Sequence, residues 1–275
     1  MIYFLFGLCW GSFLNSLAYR LVKGEKFLIS RSYCPQCRKI LTWYELIPVL
    51  SFILQKGKCL SCGNKISLRY PATELLAGFF TYYLAKKANL LLFPNLTNFI
   101  IFLYFFIFLS LIFVLALYDL DTFYINEKIF YLAIISWLIF QLFIFKSTNI
   151  YNLDFAGGLN YLFYFANNPL AKIHLAFLST LLILFIFVLT LGKGIGLGDA
   201  KMAFLLGLYL KSGELILVLF ISTLLGSLYG LTTIILKKKI QREIPFVPFI
   251  FLAVVLLIAY GDIIANRIFA FMIKL

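Results

Sequence analysis

The sequence predicts an all-α polytopic membrane protein of about eight transmembrane helices, with a small cysteine-bearing loop after the first. Composition, apolar run lengths and the placement of basic residues carry this reading. With 63% hydrophobic residues, 32 Phe and a mean hydropathy of +1.01, the chain is unlike a soluble domain, whose apolar share is roughly 45–50%. A helix needs about 20 apolar residues to cross a bilayer. Runs of that kind lie at 2–22, 72–93, 97–118, 128–146, 171–191, 213–236 and 245–270, with a conspicuously short one at 200–211.

The first run begins at Met1 without a basic leading region and carries Asn15 and Arg20 in place of a small-residue cleavage site. It is therefore expected to stay in the mature protein as a helix over 1–22. The following segment, 23–70, reads as a separate cytoplasmic module. From Arg20 to Arg69 the chain holds ten Lys/Arg against only Glu25 and Glu45, which by the positive-inside rule places the loop in the cytoplasm and the N-terminus outside. Alternating crossings then bring Lys237, Lys238, Lys239 and Arg242 to the same side, along with Asp119, Asp121 and Asp199. Lys86 and Lys87 fall near the outer side and fit this scheme least well. The net charge of +13 follows largely from these loops, so it is read as orientation and contact with the lipid bilayer, with no nucleic acid partner. Between 147 and 170, Gly157, Gly158 and Asn167-Asn168-Pro169 interrupt an aromatic stretch, which suits an external loop with a short amphipathic helix.

Within the first loop, Cys34-Pro35-Gln36-Cys37 and Cys59-Leu60-Ser61-Cys62 form two CxxC knuckles separated by 21 residues. Four thiolates suit tetrahedral zinc, and a reducing cytoplasm keeps them reduced. Such a closed Zn2+ site has no open coordination position, so it is expected to hold the loop's fold. Cys9 is left over and is read as a small buried hydrophobe in its helix.

Carboxylates at membrane depth are costly and usually functional. Tyr118-Asp119-Leu120-Asp121 closes one apolar run, and Gly194-Ile195-Gly196-Leu197-Gly198-Asp199-Ala200-Lys201 opens another. If packing brings Asp119 and Asp199 together, they form a pair able to share one proton, as the hydrolysis of a peptide bond by activated water requires. Asp121 would point about 200° away from Asp119 on a continuing helix, so only one of the two can face Asp199. The glycines before Asp199 serve a turn, a close helix contact or backbone access for a substrate. Lys201 either snorkels to lipid phosphate or supports Asp199.

These residues resemble the prepilin peptidase family, the type IV leader peptidases of the GxGD class. The resemblance rests on Gly11-Ser12-Phe13-Leu14-Asn15 with Tyr19-Arg20-Leu21, Arg31-Ser32-Tyr33 before the first knuckle, Trp43-Tyr44-Glu45-Leu46-Ile47-Pro48, Arg69-Tyr70-Pro71 with Glu74, the two aspartate motifs, and Ile244-Pro245-Phe246-Val247-Pro248-Phe249. It runs in order from Gly7 to about Phe251. It implies a multi-pass enzyme of the bacterial inner membrane that cuts the basic leader from type IV prepilins or type II secretion pseudopilins at the cytoplasmic face. Members with the cysteine loop also methylate the new N-terminal amine using S-adenosylmethionine. By motif position Asp119 and Asp199 match the catalytic aspartates, Cys34, Cys37, Cys59 and Cys62 match the zinc ligands, and 71–275 becomes the transmembrane aspartic peptidase domain. Ile125 is followed by Asn126 where the family usually has Pro, and 147–170 is long for the corresponding loop. No glycine-rich loop marks the methyl-donor site; Asn15, Arg20, Glu45 and Glu74 are polar residues suited either to binding it or to capping helices.

Two readings from other classes are weighed beside this one. A proton-coupled transporter would use the aspartates but not the cysteine loop. A zinc-knuckle assembly scaffold would use the loop but not the aspartates.

Overall fold

The computed structural model describes residues 1–25, 31–91, 95–146, 169–192, 196–237 and 244–272. Among them the ordered elements are helical, apart from two isolated bridges in the cysteine loop. All eight expected crossings fall on helices. Among the described residues, four helices are long and apolar enough to cross a membrane by length and composition, and a shorter apolar stretch covers Val247–Gly261. The protein is an all-α polytopic membrane protein. The predicted amphipathic helix of 147–170 lies almost wholly outside the described residues, as do Lys238, Lys239, Arg242, Gly194 and Ile195.

The chain divides into two compact units, Met1–Lys86 and Lys87–Leu275. The first contains α1 (Ile2–Lys23), a 3-10 turn at Trp43–Leu46, α2 (Leu50–Leu54) and α3 (Arg69–Lys87). Small residues set the approach of α1 to α3. A Cβ at Gly7 would lie 2.7 Å from the Ala77 carbonyl oxygen, and one at Gly11 would lie 2.6 Å from the Ala77 Cβ. Spaced four apart, the two glycines put bare backbone on one stripe, which lets membrane helices close without the help of a hydrophobic drive. Helix α1 stops at Gly24, whose φ of 68° suits a left-handed cap. There Glu25 N–H returns to the Arg20 carbonyl at 2.9 Å, which satisfies an otherwise open helix end.

The second unit contains α4 (Leu96–Thr122), α5 (Glu127–Lys146), α6 (Pro169–Leu189), α7 (Leu197–Tyr209), α8 (Ser212–Lys237) and α9 (Val247–Met272). Contacts close a ring, α4 to α5 to α7 to α8 to α9 and back to α4, with α6 against α7. Helix α4 is the centre: 78% of its apolar stretch is buried, against 22% for α6 and 17% for α8. The last two turn most of their surface outward, as lipid-facing helices do.

Helix α7 has 13 residues, about 20 Å of rise against a hydrocarbon core of about 30 Å. Its C-terminal carbonyls would be left open at membrane depth, where each unsatisfied group is costly. The buried Lys172 of α6 answers this, its ammonium donating to the carbonyls of Tyr209 at 3.1 Å and Leu210 at 3.0 Å. Near the same end Gly207 lies against Ala176, and midway Ser179 Oγ donates to the Ala203 carbonyl at 3.0 Å.

Candidate functional sites

Asp119 occupies the last turn of α4 and is buried. A carboxylate at a helix C-terminus meets the negative end of that helix's dipole. The incoming end of α9 offsets this, because the backbone N–H of Val247 donates to Asp119 Oδ2 at 3.1 Å and that of Phe246 also bonds to the carboxylate. Asp199 sits in the first turn of α7, where Gly196 N–H donates to its Oδ2 at 3.0 Å and its own N–H returns to the Gly196 carbonyl at 3.1 Å. Each aspartate is thus tied to the positive end of a helix. The two lie close enough for the charge of Asp199 to act on Asp119. Asp121, two residues on, is exposed, as the helix-face argument expects.

The surroundings hold several features the sequence reading did not include. Lys201 pairs with Glu127 in the first turn of α5, a partner the sequence reading did not name. Asn126, where the family usually has Pro, caps α5: its Oδ1 accepts the N–H of Lys128 at 3.1 Å and of Ile129 at 3.3 Å. Asparagine and proline both suit a helix start, for different reasons. Gly198 allows close approach, since a Cβ there would lie 3.3 Å from Ile125 Cδ1.

In the first unit, the two knuckles repeat one backbone pattern. Cys34 N–H bonds the Lys39 carbonyl and Arg38 N–H the Cys34 carbonyl; Cys59 does the same with Asn64 and Gly63. Arg38 (φ 58°) and Gly63 (φ 69°) provide the left-handed turn in each. The four sulfurs, Cys34, Cys37, Cys59 and Cys62, lie within 4.8 Å of one another. Ligands of about 2.3 Å around a tetrahedral zinc would stand about 3.8 Å apart, so the cluster fits one metal ion. Backbone N–H groups of Cys62 and Ser61 lower the Cys59 thiol to about 7, while burial and the neighbouring sulfurs push Cys62 up to about 11. Cys9, expected to be buried, is exposed on α1; it lies outside the Gly7–Gly11 stripe that meets α3.

Glu45 closes a capping box over the 3-10 turn, its Oε2 accepting Thr42 N–H at 2.8 Å and Thr42 Oγ1–H at 2.7 Å. Those bonds, with Lys39 nearby, hold its carboxyl below the usual glutamate range. Glu74 accepts the Val49 N–H at 2.7 Å.

A polytopic helical membrane protein with a carboxylate pair at helix ends and a four-cysteine knuckle loop is the class these features define. Residues 5–88 match the bacterial peptidase A24 N-terminal domain and 105–231 match the type IV leader peptidase family. The chain is 34% identical over 271 residues to the prepilin leader peptidase/N-methyltransferase of Bacillus subtilis strain 168, covering 96% of each. It is 29% identical over 294 residues to the protein of that name in Aeromonas salmonicida strain A449, covering 96% of this chain and 91% of the relative. A third, from Myxococcus xanthus strain DK1622, is 42% identical over 84 residues, 30% of this chain and 25% of the relative. No solved structure matches the chain. The protein belongs to the type IV leader peptidase family.

Proposed function

We propose that this protein is a membrane aspartic endopeptidase that removes the basic leader from type IV prepilins or pseudopilins and then N-methylates the exposed N-terminal residue. Family membership supports the reaction class, and the names of the relatives supply both activities. The observation that carries the peptidase half is the approach of Asp119 and Asp199, each anchored by backbone N–H groups at a helix start. Val247 N–H and Gly196 N–H each hold the Oδ2 of their aspartate, which fixes the orientation of both carboxylates.

In the reaction, one aspartate is protonated and polarises the scissile carbonyl, while its ionised partner takes a proton from the attacking water. The roles belong to the pair, since interacting carboxylates titrate together. Gly198, beside Asp199, lets Ile125 pack close to the first turn of α7. A prepilin joins a basic leader to an apolar helix, so its scissile bond sits at the membrane edge, and the positive-inside argument puts the aspartates at the cytoplasmic edge of the bacterial inner membrane.

Cys34, Cys37, Cys59 and Cys62 would hold a structural zinc ion whose contribution is folding energy for the 23–70 loop. The aspartate chemistry belongs to the helices of 71–275. In the methyl-transfer half, S-adenosylmethionine would supply the methyl group to the freed N-terminal amine and leave as the neutral thioether, the amine losing a proton to water. Incubating purified zinc-loaded enzyme with candidate prepilins and S-adenosylmethionine, then reading product masses, tests both halves. Loss of the leader followed by gain of one methyl group is the expected result.

A further inference from the structure

The cysteine loop turns an apolar side outward. Trp43 is 77% exposed, Ile53 62% and Leu54 70%, with Tyr44, Leu46 and Leu50 exposed beside them. Helix α2 packs on the 3-10 turn, so the two carry adjoining parts of one surface, and the rings of Trp43 and Tyr44 meet edge to face at 5.8 Å. Leu50, Ile53 and Leu54 follow the i, i+3, i+4 spacing of a single helix face. The polar residues of α2 go the other way: Ser51 and Gln55 line the interior cavity that Glu45 and Glu74 share. A helix with its polar side inward and its apolar side outward is inverted for water and ordinary for lipid.

The backbone fixes where this surface stands. Val49 N–H, at the start of α2, donates to Glu74 Oε2 at 2.7 Å, and Glu74 is five residues into α3, about 7.5 Å along its axis. The expected crossing of α3 begins at 72, so α2 starts within one glutamate side chain of membrane-crossing helix. Charge agrees with this placement. The exposed Lys56 and Lys58 follow α2, and Lys58 pairs with Lys65 across an isolated antiparallel bridge. Like charges set opposite each other are unfavourable alone, and an anionic headgroup between them reverses that. No acidic residue lies between Glu45 and Glu74 in the sequence to do the same. We propose that this face of the loop is seated in the bilayer beside α3, in the anionic cytoplasmic leaflet on the positive-inside reading. Trp43 and Tyr44 lie at headgroup level, as interfacial aromatics do, and Leu50, Ile53 and Leu54 reach the upper acyl chains. The cysteine module is a membrane-surface element between its two helices, not a domain standing in water.

The test uses full-length zinc-loaded enzyme in nanodiscs that contain phosphatidylglycerol and a lipid with a photoactivatable group just below its headgroup. Label is expected on the tryptic peptide 40–56, which carries all six apolar residues, as it is on peptides of α1. With phosphatidylcholine in place of phosphatidylglycerol the label on 40–56 should fall roughly fivefold, the effect of one lysine near an anionic surface. In a Trp10→Phe, Trp137→Phe protein, where Trp43 is the remaining tryptophan, brominated lipid should quench the fluorescence and aqueous acrylamide should not. Adding Ile53→Asp and Leu54→Asp should reverse the two, with zinc content unchanged. Peptide 40–56 unlabelled while α1 is labelled, or Trp43 open to acrylamide without the aspartates, overturns the proposal in favour of a solvated surface. Trp43 shielded from both quenchers overturns it in favour of a protein cover, either the second unit or another copy of the chain.

Discussion

The Asp119 carboxylate and the Val247 backbone N–H, 128 residues apart in sequence, meet at 3.1 Å. The bond joins the end of α4 to the start of α9, the position where the Ile244–Phe249 motif enters its helix. A backbone donor cannot rotate away as a side chain can, so it fixes one carboxylate oxygen and orients the other. The role of this motif is therefore legible as backbone geometry: Pro245 and Pro248 set the helix entry, and the amides between them serve the acid.

That relationship predicts an outcome for Pro at position 247. Val247→Pro deletes the donor while keeping a residue tolerated near a helix start. Cleavage should fall by one to three orders of magnitude, the usual range for losing a positioned backbone-type donor. Val247→Ala, which keeps the N–H, should stay within a fewfold of wild type. Steady-state cleavage of a fluorescent prepilin peptide measures both.

Gly207 lets α7 pack directly on the backbone of α6. A Cβ there would stand 2.5 Å from the Ala176 Cα and 2.8 Å from its N, and backbone cannot yield cheaply. Gly207→Ala should lower stability by about 1–3 kcal/mol through overpacking, seen as a lower melting temperature in detergent. Because α7 also carries Asp199 in its first turn, activity should fall with it.

Glu45 provides a pH prediction. Its folded value is lowered chiefly by the Thr42 backbone N–H, then by the Thr42 hydroxyl. A depressed carboxylate stabilises the fold above its unfolded value and loses that contribution as pH falls through the folded one. Carbon-detected NMR of the carboxyl groups should find Glu45 titrating below ordinary glutamates. Thr42→Ala, which removes one donor, should move it upward.

Cys34→Ser or Cys62→Ser should release the metal and unfold the loop, as structural zinc sites carry folding energy directly. Metal analysis and limited proteolysis would show both effects, with methylation falling further than cleavage. Equal and complete loss of both activities in a stable variant would mean that the loop also builds the peptidase site.

The crossings were readable from sequence because an apolar run of membrane length is a local signal. So was the cysteine cluster, since each knuckle is fixed by neighbouring residues and the two only have to meet. Helical phase alone said that only one of Asp119 and Asp121 can face Asp199, and the family resemblance chose Asp119. What escaped were pairings made across the chain. Lys172 carries no local signal of its task, which depends on where the short α7 ends. Glu127 depends likewise on the arrival of Lys201. The expected start of the short crossing at 200 came out at Leu197, because Asp199 belongs to the first turn and caps it through Gly196. Glu45 and Glu74 were noted as polar residues, but the cavity they share exists only once the loop folds onto α1 and α3.

The two chemistries should be separable. An Asp199→Asn enzyme should still methylate a supplied pilin whose N-terminal amine is already free, because the amine attacks the methyl donor without the aspartate pair. An S-adenosylmethionine analogue should block that methylation and leave wild-type cleavage intact. Mass spectrometry of the pilin N-terminus reads both.

Leader cleavage by Asp119→Asn and Asp199→Asn enzymes, each inserted and zinc-loaded, tests the carboxylate pair most directly. Either substitution preserves size but prevents the pair from sharing a proton, so each should abolish cleavage, while Asp121→Asn retains appreciable activity. Near-normal cleavage by a well-folded Asp119→Asn or Asp199→Asn enzyme would contradict the assignment.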